Sequence, residues 1–142
     1  MKKILSFSFV FLLAACSNSS PYDGVWLVDA ERSKQSCEEV MMSSMMEELE
    51  DNPFAGMAAG FGSMVCGMVS GIIPILDIEE NKLILNAFNS ESSCTIDPVA
   101  QNLTCETGTQ SLPISTENEY LVLILPVEED TPSMKIYYKK SG

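Results

Sequence analysis

Cysteine is the residue type in this 142-residue chain whose chemistry depends most on spacing. Four of the five cysteines form an even set, and in an exported chain an even set predicts disulfides. They are Cys37, Cys66, Cys94 and Cys105. The alternative is four free thiols used for metal or redox chemistry. It is less favoured because the chain has no Cys-x-x-Cys motif.

The spacing of the last two cysteines favours one pairing. Cys94 and Cys105 flank a turn predicted over 97–102. If Ile96 faces Leu103 in a hairpin, the two cysteines lie directly opposite each other, close enough to bridge. We therefore predict a Cys94–Cys105 disulfide and, by elimination, a Cys37–Cys66 disulfide.

The remaining cysteine, Cys16, closes a pattern of a different kind. Lys2 and Lys3 precede an uncharged apolar run over 4–13, and two small residues, Ala14 and Ala15, come just before the cysteine. These are the three parts of a secretory signal, and the apolar run is too short to span a bilayer. The residues 13–16 (Leu-Ala-Ala-Cys) resemble the lipobox of bacterial lipoproteins. The resemblance implies removal of residues 1–15, a diacylglycerol on the Cys16 thiol and acylation, for example with palmitate, of the new amino terminus.

The residues after Cys16 suggest where such a lipoprotein would lie. Residues 16–21 are small and polar and predict a short lipidated tether, because several acyl chains anchor a domain stably without a membrane-spanning helix. Ser17 stands where many lipoproteins retained at the inner membrane have aspartate. By this analogy we expect an outer-membrane lipoprotein whose domain lies in the periplasm or is exposed at the surface.

The residues that usually carry catalysis are missing from the sequence. The chain has no histidine to activate a serine or cysteine, and it has no Gly-x-Ser-x-Gly motif. Its carboxylates fall mainly in predicted turns and on an exposed helix face, where a solvated surface is the simplest reading. We expect a protein that is not an enzyme and that has no cofactor and no metal site.

The net charge narrows the range of partners. The chain has eight Lys and Arg residues and twenty Asp and Glu residues, which gives a formal charge of −12. Such a chain lacks the basic surface that binds nucleic acid. It would also be repelled by anionic lipid, so we expect membrane contact only through the anchor at Cys16.

Methionine is a second unusual feature, because most of the nine methionines fall in two neighbouring segments. Met41, Met42, Met45 and Met46 lie in the first, and Met57, Met64 and Met68 in the second. Methionine fills gaps in cores and lines adaptable apolar surfaces. Thioethers also select Cu(I), so copper handling is an alternative.

The hydrophobic pattern predicts the elements that position these residues. The segment 24–28 is β-branched and aromatic and predicts a strand. From Ser33 the apolar period becomes helical, with Ser33 or Ser36 as the predicted N-cap, and this helix should end before Pro53. A second helix should follow, so that the helical pair covers 33–71.

The second helix belongs to a segment, 54–76, that has no charged residue. Its glycines give small-x-x-x-small patterns, which let helices approach closely. We expect it to pack against the first helix by the smooth face that carries Gly56, Gly60, Ser63 and Gly67, with an apolar lid over a binding cavity and a membrane-inserting helix as alternatives. Its apolar face and the strand tryptophan are the predicted ligand-binding residues: Trp26, Phe54, Met57, Phe61, Met64 and Met68.

From Ile72 onward, short apolar runs alternate with turn residues and predict β-hairpins. The predicted fold class is therefore α+β. It consists of a curved antiparallel sheet or small, partly open barrel of about seven or eight strands, with a two-helix insertion after the first strand. Residues 22–142 form a single domain in this prediction.

The start of that domain resembles a known superfamily. Gly24-Val25-Trp26, with Tyr22 before it, is similar to the Gly-x-Trp opening of the lipocalin and fatty-acid-binding superfamily. In the fatty-acid-binding branch a helical pair also follows the first strand. The resemblance implies a barrel that binds an apolar ligand. The arginine–tyrosine clamp of that branch cannot be located, since Arg32, the sole arginine, precedes the predicted helix.

These observations lead to a functional hypothesis of binding without catalysis. The expected protein is a lipid-anchored envelope lipoprotein that holds an apolar small molecule, or an apolar segment of a partner protein, between the sheet and the second helix. The alternatives are a structural or envelope-interaction protein with no ligand pocket, and a methionine-rich Cu(I)-handling protein.

Overall fold

The computed structural model describes residues 19–48, 55–69, 71, 75–87, 90–106, 111–125 and 133–142. Within these ranges two helices and eight strands follow in chain order: β1 (Gly24–Val28), α1 (Ala30–Glu48), α2 (Ala55–Val69), β2 (Ile75–Glu79), β3 (Lys82–Ala87), β4 (Ser90–Asp97), β5 (Asn102–Cys105), β6 (Ser111–Glu117), β7 (Tyr120–Leu125) and β8 (Met134–Lys140). The predicted fold class, α+β with a helical pair after the first strand, is confirmed.

The strands form a barrel that is closed rather than partly open. Each strand pairs antiparallel with the next, and β8 returns to pair with β1, with Trp26 opposite Lys140 and Val28 opposite Tyr138. Closure gives each of the eight described strands a partner strand on both sides, so the sheet lacks the two free edges of an open sheet. Tight turns set the register of the hairpins. Between β2 and β3, for example, both Glu80 and Asn81 have positive φ, as a two-residue hairpin turn requires.

The β4–β5 hairpin has the predicted register. Cys94 lies opposite Cys105 and Ile96 opposite Leu103. The Cys94–Cys105 disulfide joins Cα atoms that are 4.0 Å apart, and a second disulfide links Cys37 of α1 to Cys66 of α2. Both predicted pairings are confirmed.

The barrel interior is a packed core. Alternate residues point inward along a strand, so all eight strands contribute to it. The buried cluster consists of Tyr22, Trp26, Leu76, Ile78, Leu83, Cys94, Ile96, Leu103, Ile114, Leu121, Leu123, Ile136 and Tyr138. An eight-stranded barrel is just wide enough to be filled by its own side chains. Trp26 is 4% exposed, and its indole N–H donates to the carbonyl of Tyr22 at 2.7 Å.

The first helix covers the part of β8 that β1 does not reach. Beyond the last β1–β8 pair, the Tyr137 carbonyl accepts from the Asp29 N–H at 2.8 Å. The Tyr137 N–H donates to the Ser33 hydroxyl at 2.9 Å, and the Lys135 N–H donates to the Ser36 hydroxyl at 3.0 Å. Helix α1 therefore satisfies the strand's free backbone groups where a neighbouring strand is missing.

These contacts correct the predicted helix start. The helix begins at Ala30, and its N-cap is Asp29, whose carboxylate accepts from the Arg32 N–H at 3.0 Å. Ser33 and Ser36 are not caps because they lie inside the helix and bond to β8. Ser33 is 3% exposed, with its hydroxyl bonded to both backbone groups of Tyr137.

Candidate functional site

Helix α2 is held to the molecule along one side. Cys66 is fully buried in its disulfide to Cys37 of α1. Three residues earlier, the Ser63 hydroxyl donates to the Glu38 carboxylate of α1 at 2.6 Å. Residues three apart lie on the same side of a helix, so this side of α2 faces α1. The two helices pack against each other as expected, and Ser63 of the predicted smooth face takes part, but Gly60, Gly67 and Gly71 of the small-x-x-x-small patterns are exposed.

The opposite side of α2 is apolar and exposed. Met57, Met64 and Met68 are 73%, 60% and 63% exposed and recur at seven and four residues, which places them on one stripe. Gly60 and Gly67 lie beside them and are also exposed. We call these five residues the methionine face. No residue of α2 is charged, so nothing on the helix itself interrupts this apolar surface.

The two glycines of this face are not required by packing within the described part of the chain. A Cβ built on Gly60 or Gly67 would meet no atom within 4 Å. Glycine in a helix interior costs about 0.5–1 kcal/mol relative to alanine. The helix thus keeps two unfavourable residues at positions where a side chain would have room.

The structure separates the residues that the sequence pattern groups as one ligand site. Trp26 lies in the barrel core, whereas Met57, Met64 and Met68 face away from α1 on α2. Phe54 lies outside the described residues, and the side chain of Phe61 is likewise not among those described. Cys16 also precedes the described part of the chain.

A second surface feature, which the sequence does not reveal, involves Arg32. Its guanidinium lies over the rings of Tyr120 and Tyr137, 4.4 Å and 4.6 Å from their centroids. The two rings meet edge to face at 6.0 Å. Both tyrosines are far from Arg32 in the sequence and become its neighbours only because α1 packs on β8. The stack is a cation–π contact that fastens the first turn of α1 to the barrel wall.

A polar groove of about 730 Å³ lies beside this stack, between α1 and β8. Its lining mixes both signs of charge, with Arg32 and Lys135 opposed by Asp29, Glu31 and Glu39. Lys135 is already paired with Glu117 at 3.4 Å. With charges this mixed, the groove favours neither an anion nor a cation.

Among the described residues, the barrel contains one buried side-chain polar atom without a hydrogen-bond partner. The hydroxyl of Tyr138, a fully buried residue, has no partner there. Burial raises the pKa of Tyr138 to about 12. Tyr138 belongs to the apolar cluster of the barrel, so this hydroxyl destabilises the core rather than forming a reactive group.

Membrane spans and metal centres are two further kinds of site that a chain of this composition could hold. Neither helix, as far as it is described, is long and apolar enough to span a membrane. The described Cys, Asp and Glu side chains form no group of three placed to hold a metal ion. Comparison with known proteins found no matching family model, no matching curated protein and no matching solved structure.

Proposed function

We propose that this protein is a lipid-anchored envelope lipoprotein without catalytic activity, and that its methionine face binds an apolar segment of a partner protein. The observation that carries the proposal is the exposure of Met57, Met64 and Met68 on one side of an uncharged helix. Exposed apolar patches of this kind on a folded domain mark interaction sites. Unbranched, polarizable methionine suits a surface that adapts to its partner.

A partner segment is favoured over an apolar small molecule because of how the barrel is filled. The inward-facing side chains of all eight strands pack on one another, including Trp26, which is one of the predicted ligand-binding residues. The methionines on α2, by contrast, are exposed to water, so their apolar surface is free to be buried by a partner. Fully burying one such side chain would contribute about 1.5–3 kcal/mol.

The anchor at Cys16 is part of the same proposal. Tyr22 is the first described residue of the core and is 2% exposed, and the Ser20 hydroxyl before it bonds to the Asn81 side chain of the β2–β3 turn. The predicted tether, 16–21, is therefore fastened to the barrel at Ser20. Two disulfides support an oxidising compartment such as the periplasm. A lipid anchor at the outer membrane, with residues 1–15 removed, is consistent with that compartment.

Binding of a synthetic helix tests the function. The probe is a fluorescent 15-residue amphipathic peptide with leucine and alanine on one face and glutamine on the other, titrated into the oxidised domain (residues 17–142). We expect micromolar binding that Met64→Lys weakens at least tenfold, because a charge then sits at the centre of the apolar face. Ile84→Lys is the matched control, since Ile84 is similarly exposed, at 59%, but lies on β3. Equal affinity for wild type and Met64→Lys would contradict the proposal.

A further inference from the structure

The shape of the methionine face and the net charge of the chain indicate the chemistry of the partner segment, on the premise that the proposed function holds. Gly60 and Gly67 offer open space above the α2 backbone, with no atom within 4 Å of a built Cβ. Small residues on a helix face allow a second helix to approach closely, with its side chains set into the gaps. Along the helix axis, Met57 and Met64 would border the gap at Gly60, and Met64 and Met68 would border the gap at Gly67.

The dimensions fit a helix of similar length. Helix α2 has 15 residues and is therefore about 22 Å long. A partner helix of about four turns would cover the face from Met57 to Met68. An amphipathic helix would place its apolar residues at i, i+3, i+4 and i+7 on this surface and leave its polar side outward.

The net charge of the chain decides what that polar side carries. Helix α2 has no charged residue, and α1, which packs on the other side of α2 from the methionine face, carries five acidic residues and two basic ones, Arg32 and Lys34. The acidic residues are Glu31, Glu38, Glu39, Glu47 and Glu48. The whole chain has a formal charge of −12, so a second copy or an anionic helix would be repelled and a basic one attracted.

We infer that the partner segment is a cationic amphipathic helix of about 15 residues that packs its apolar side on Met57, Met64 and Met68, over the gaps at Gly60 and Gly67. The apolar face supplies the contact, and the net negative charge of the chain selects the sign of the partner's charge. Electrostatic selection of this kind weakens as salt rises.

Three peptides with one apolar face and different polar faces test this inference on the oxidised domain (residues 17–142). Their polar positions carry lysine, glutamine or glutamate. At 50 mM salt we expect the lysine peptide to bind at least tenfold more tightly than the glutamine peptide, and the glutamate peptide to bind most weakly. At 0.5 M salt the differences should shrink below threefold. Gly60→Leu, which changes no charge, should weaken the lysine peptide at least tenfold, and circular dichroism shows whether this variant keeps its helix content.

The outcomes separate this inference from the function on which it rests. Equal affinity for the lysine and glutamine peptides, with both sensitive to Met64→Lys, would overturn the inference and leave the proposed function standing. Lysine-peptide binding that Gly60→Leu does not change would show attraction to the acidic surface alone, and would also overturn it. So would a dimer in sedimentation that Gly60→Leu dissociates, or adsorption of the domain to phosphatidylcholine vesicles through this face. If no peptide binds, the proposed function itself fails.

Discussion

Single residues in this protein show where local pattern and tertiary context compete. Asp29, Ser33 and Ser36 are all residue types that cap helices, and the sequence offers no local reason to prefer the first. Ser33 and Ser36 are instead bonded to Tyr137 and Lys135, about 100 residues further along the chain. A contact at that separation leaves no periodic signal, so local pattern places the helix start too late.

Tyr138 gives a prediction at this scale. Its buried hydroxyl has no partner among the described residues, so Tyr138→Phe removes an unsatisfied polar group and keeps the ring. We expect the free energy of unfolding to rise by about 1 kcal/mol, measured by urea denaturation at pH 7. A loss of more than about 1 kcal/mol would show that the hydroxyl is bonded after all.

The same residue sets how stability depends on alkaline pH. Its pKa is about 12 in the folded protein and about 10 in the unfolded chain, so the folded state holds the proton to higher pH. The free energy of unfolding is therefore unaffected by this group below pH 10 and falls as the pH rises through 12, by roughly 2–3 kcal/mol in all. Tyr138→Phe is the control and should lose less stability over this range. Burial raises the pKa of Tyr22 as well, so some loss remains.

Among the elements, the β-hairpins are the most predictable and the helical pair the least. Period-two alternation fixes which residues face each other, and from the sequence alone it puts Cys94 opposite Cys105 and Ile96 opposite Leu103, as observed. In β7, whose apolar run is continuous rather than alternating, all three residues of 121–123 are buried, as is typical of such a run. A uniformly uncharged helix such as α2 has no comparable pattern, so its sequence does not reveal which face is exposed.

The Cys37–Cys66 disulfide should matter most to α2. It closes a loop of 29 residues, for which the chain-entropy account gives about 3–4 kcal/mol, against about 3 kcal/mol for the 11-residue separation of Cys94 and Cys105. In the Cys37→Ala/Cys66→Ala variant we expect amide exchange to speed up at least tenfold in α2 and to change little in the barrel strands. If amide exchange became equally faster in α2 and in the barrel strands, α2 would not be an element held separately by this disulfide.

The glycines of α2 give a prediction of opposite sign. Gly60→Ala should raise the free energy of unfolding by about 0.5–1 kcal/mol, because the new methyl group has room and alanine favours a helix. Gly24→Ala is the contrasting variant, since Gly24 has a φ of +129° and its Cβ would lie 2.8 Å from the Lys140 Cε. We expect that change to destabilise. The free energy of unfolding of each variant is measured by chemical denaturation. A rise in both Gly60→Ala and Gly24→Ala, or in neither, would be inconsistent with this packing.

For the whole molecule, the sequence predicts the architecture better than the site. Strand number, strand order and the position of the helices follow from patterning within short segments, whereas barrel closure depends on β1 meeting β8 across the entire chain. The site is less predictable for the same reason, because it depends on contacts between distant parts of the chain. Trp26 and the methionines form one group by their apolar character, and only the packed core shows that they lie on different surfaces.

The lipid anchor is tested in cells. An alkyne fatty-acid analogue should label the wild-type chain and fractionate with it to the outer membrane, because Cys16 is the only residue proposed to carry acyl chains. Cys16→Ser should lose both the label and membrane association. Cys66→Ala is the control for loss of a cysteine and should keep both. Labelling that survives Cys16→Ser would place the anchor elsewhere.

The most direct test of the proposed binding surface is a methyl NMR titration of the domain, ¹³C-labelled at methionine, with the glutamine-faced helix peptide. The methyl signals of Met57, Met64 and Met68 report on the methionine face, and that of Met134 on the barrel, where it packs against the core. We predict that the first three signals shift together, with one dissociation constant, while Met134 stays in place. Shifts at Met134 without shifts on α2 would move the binding site to the barrel and contradict the proposal.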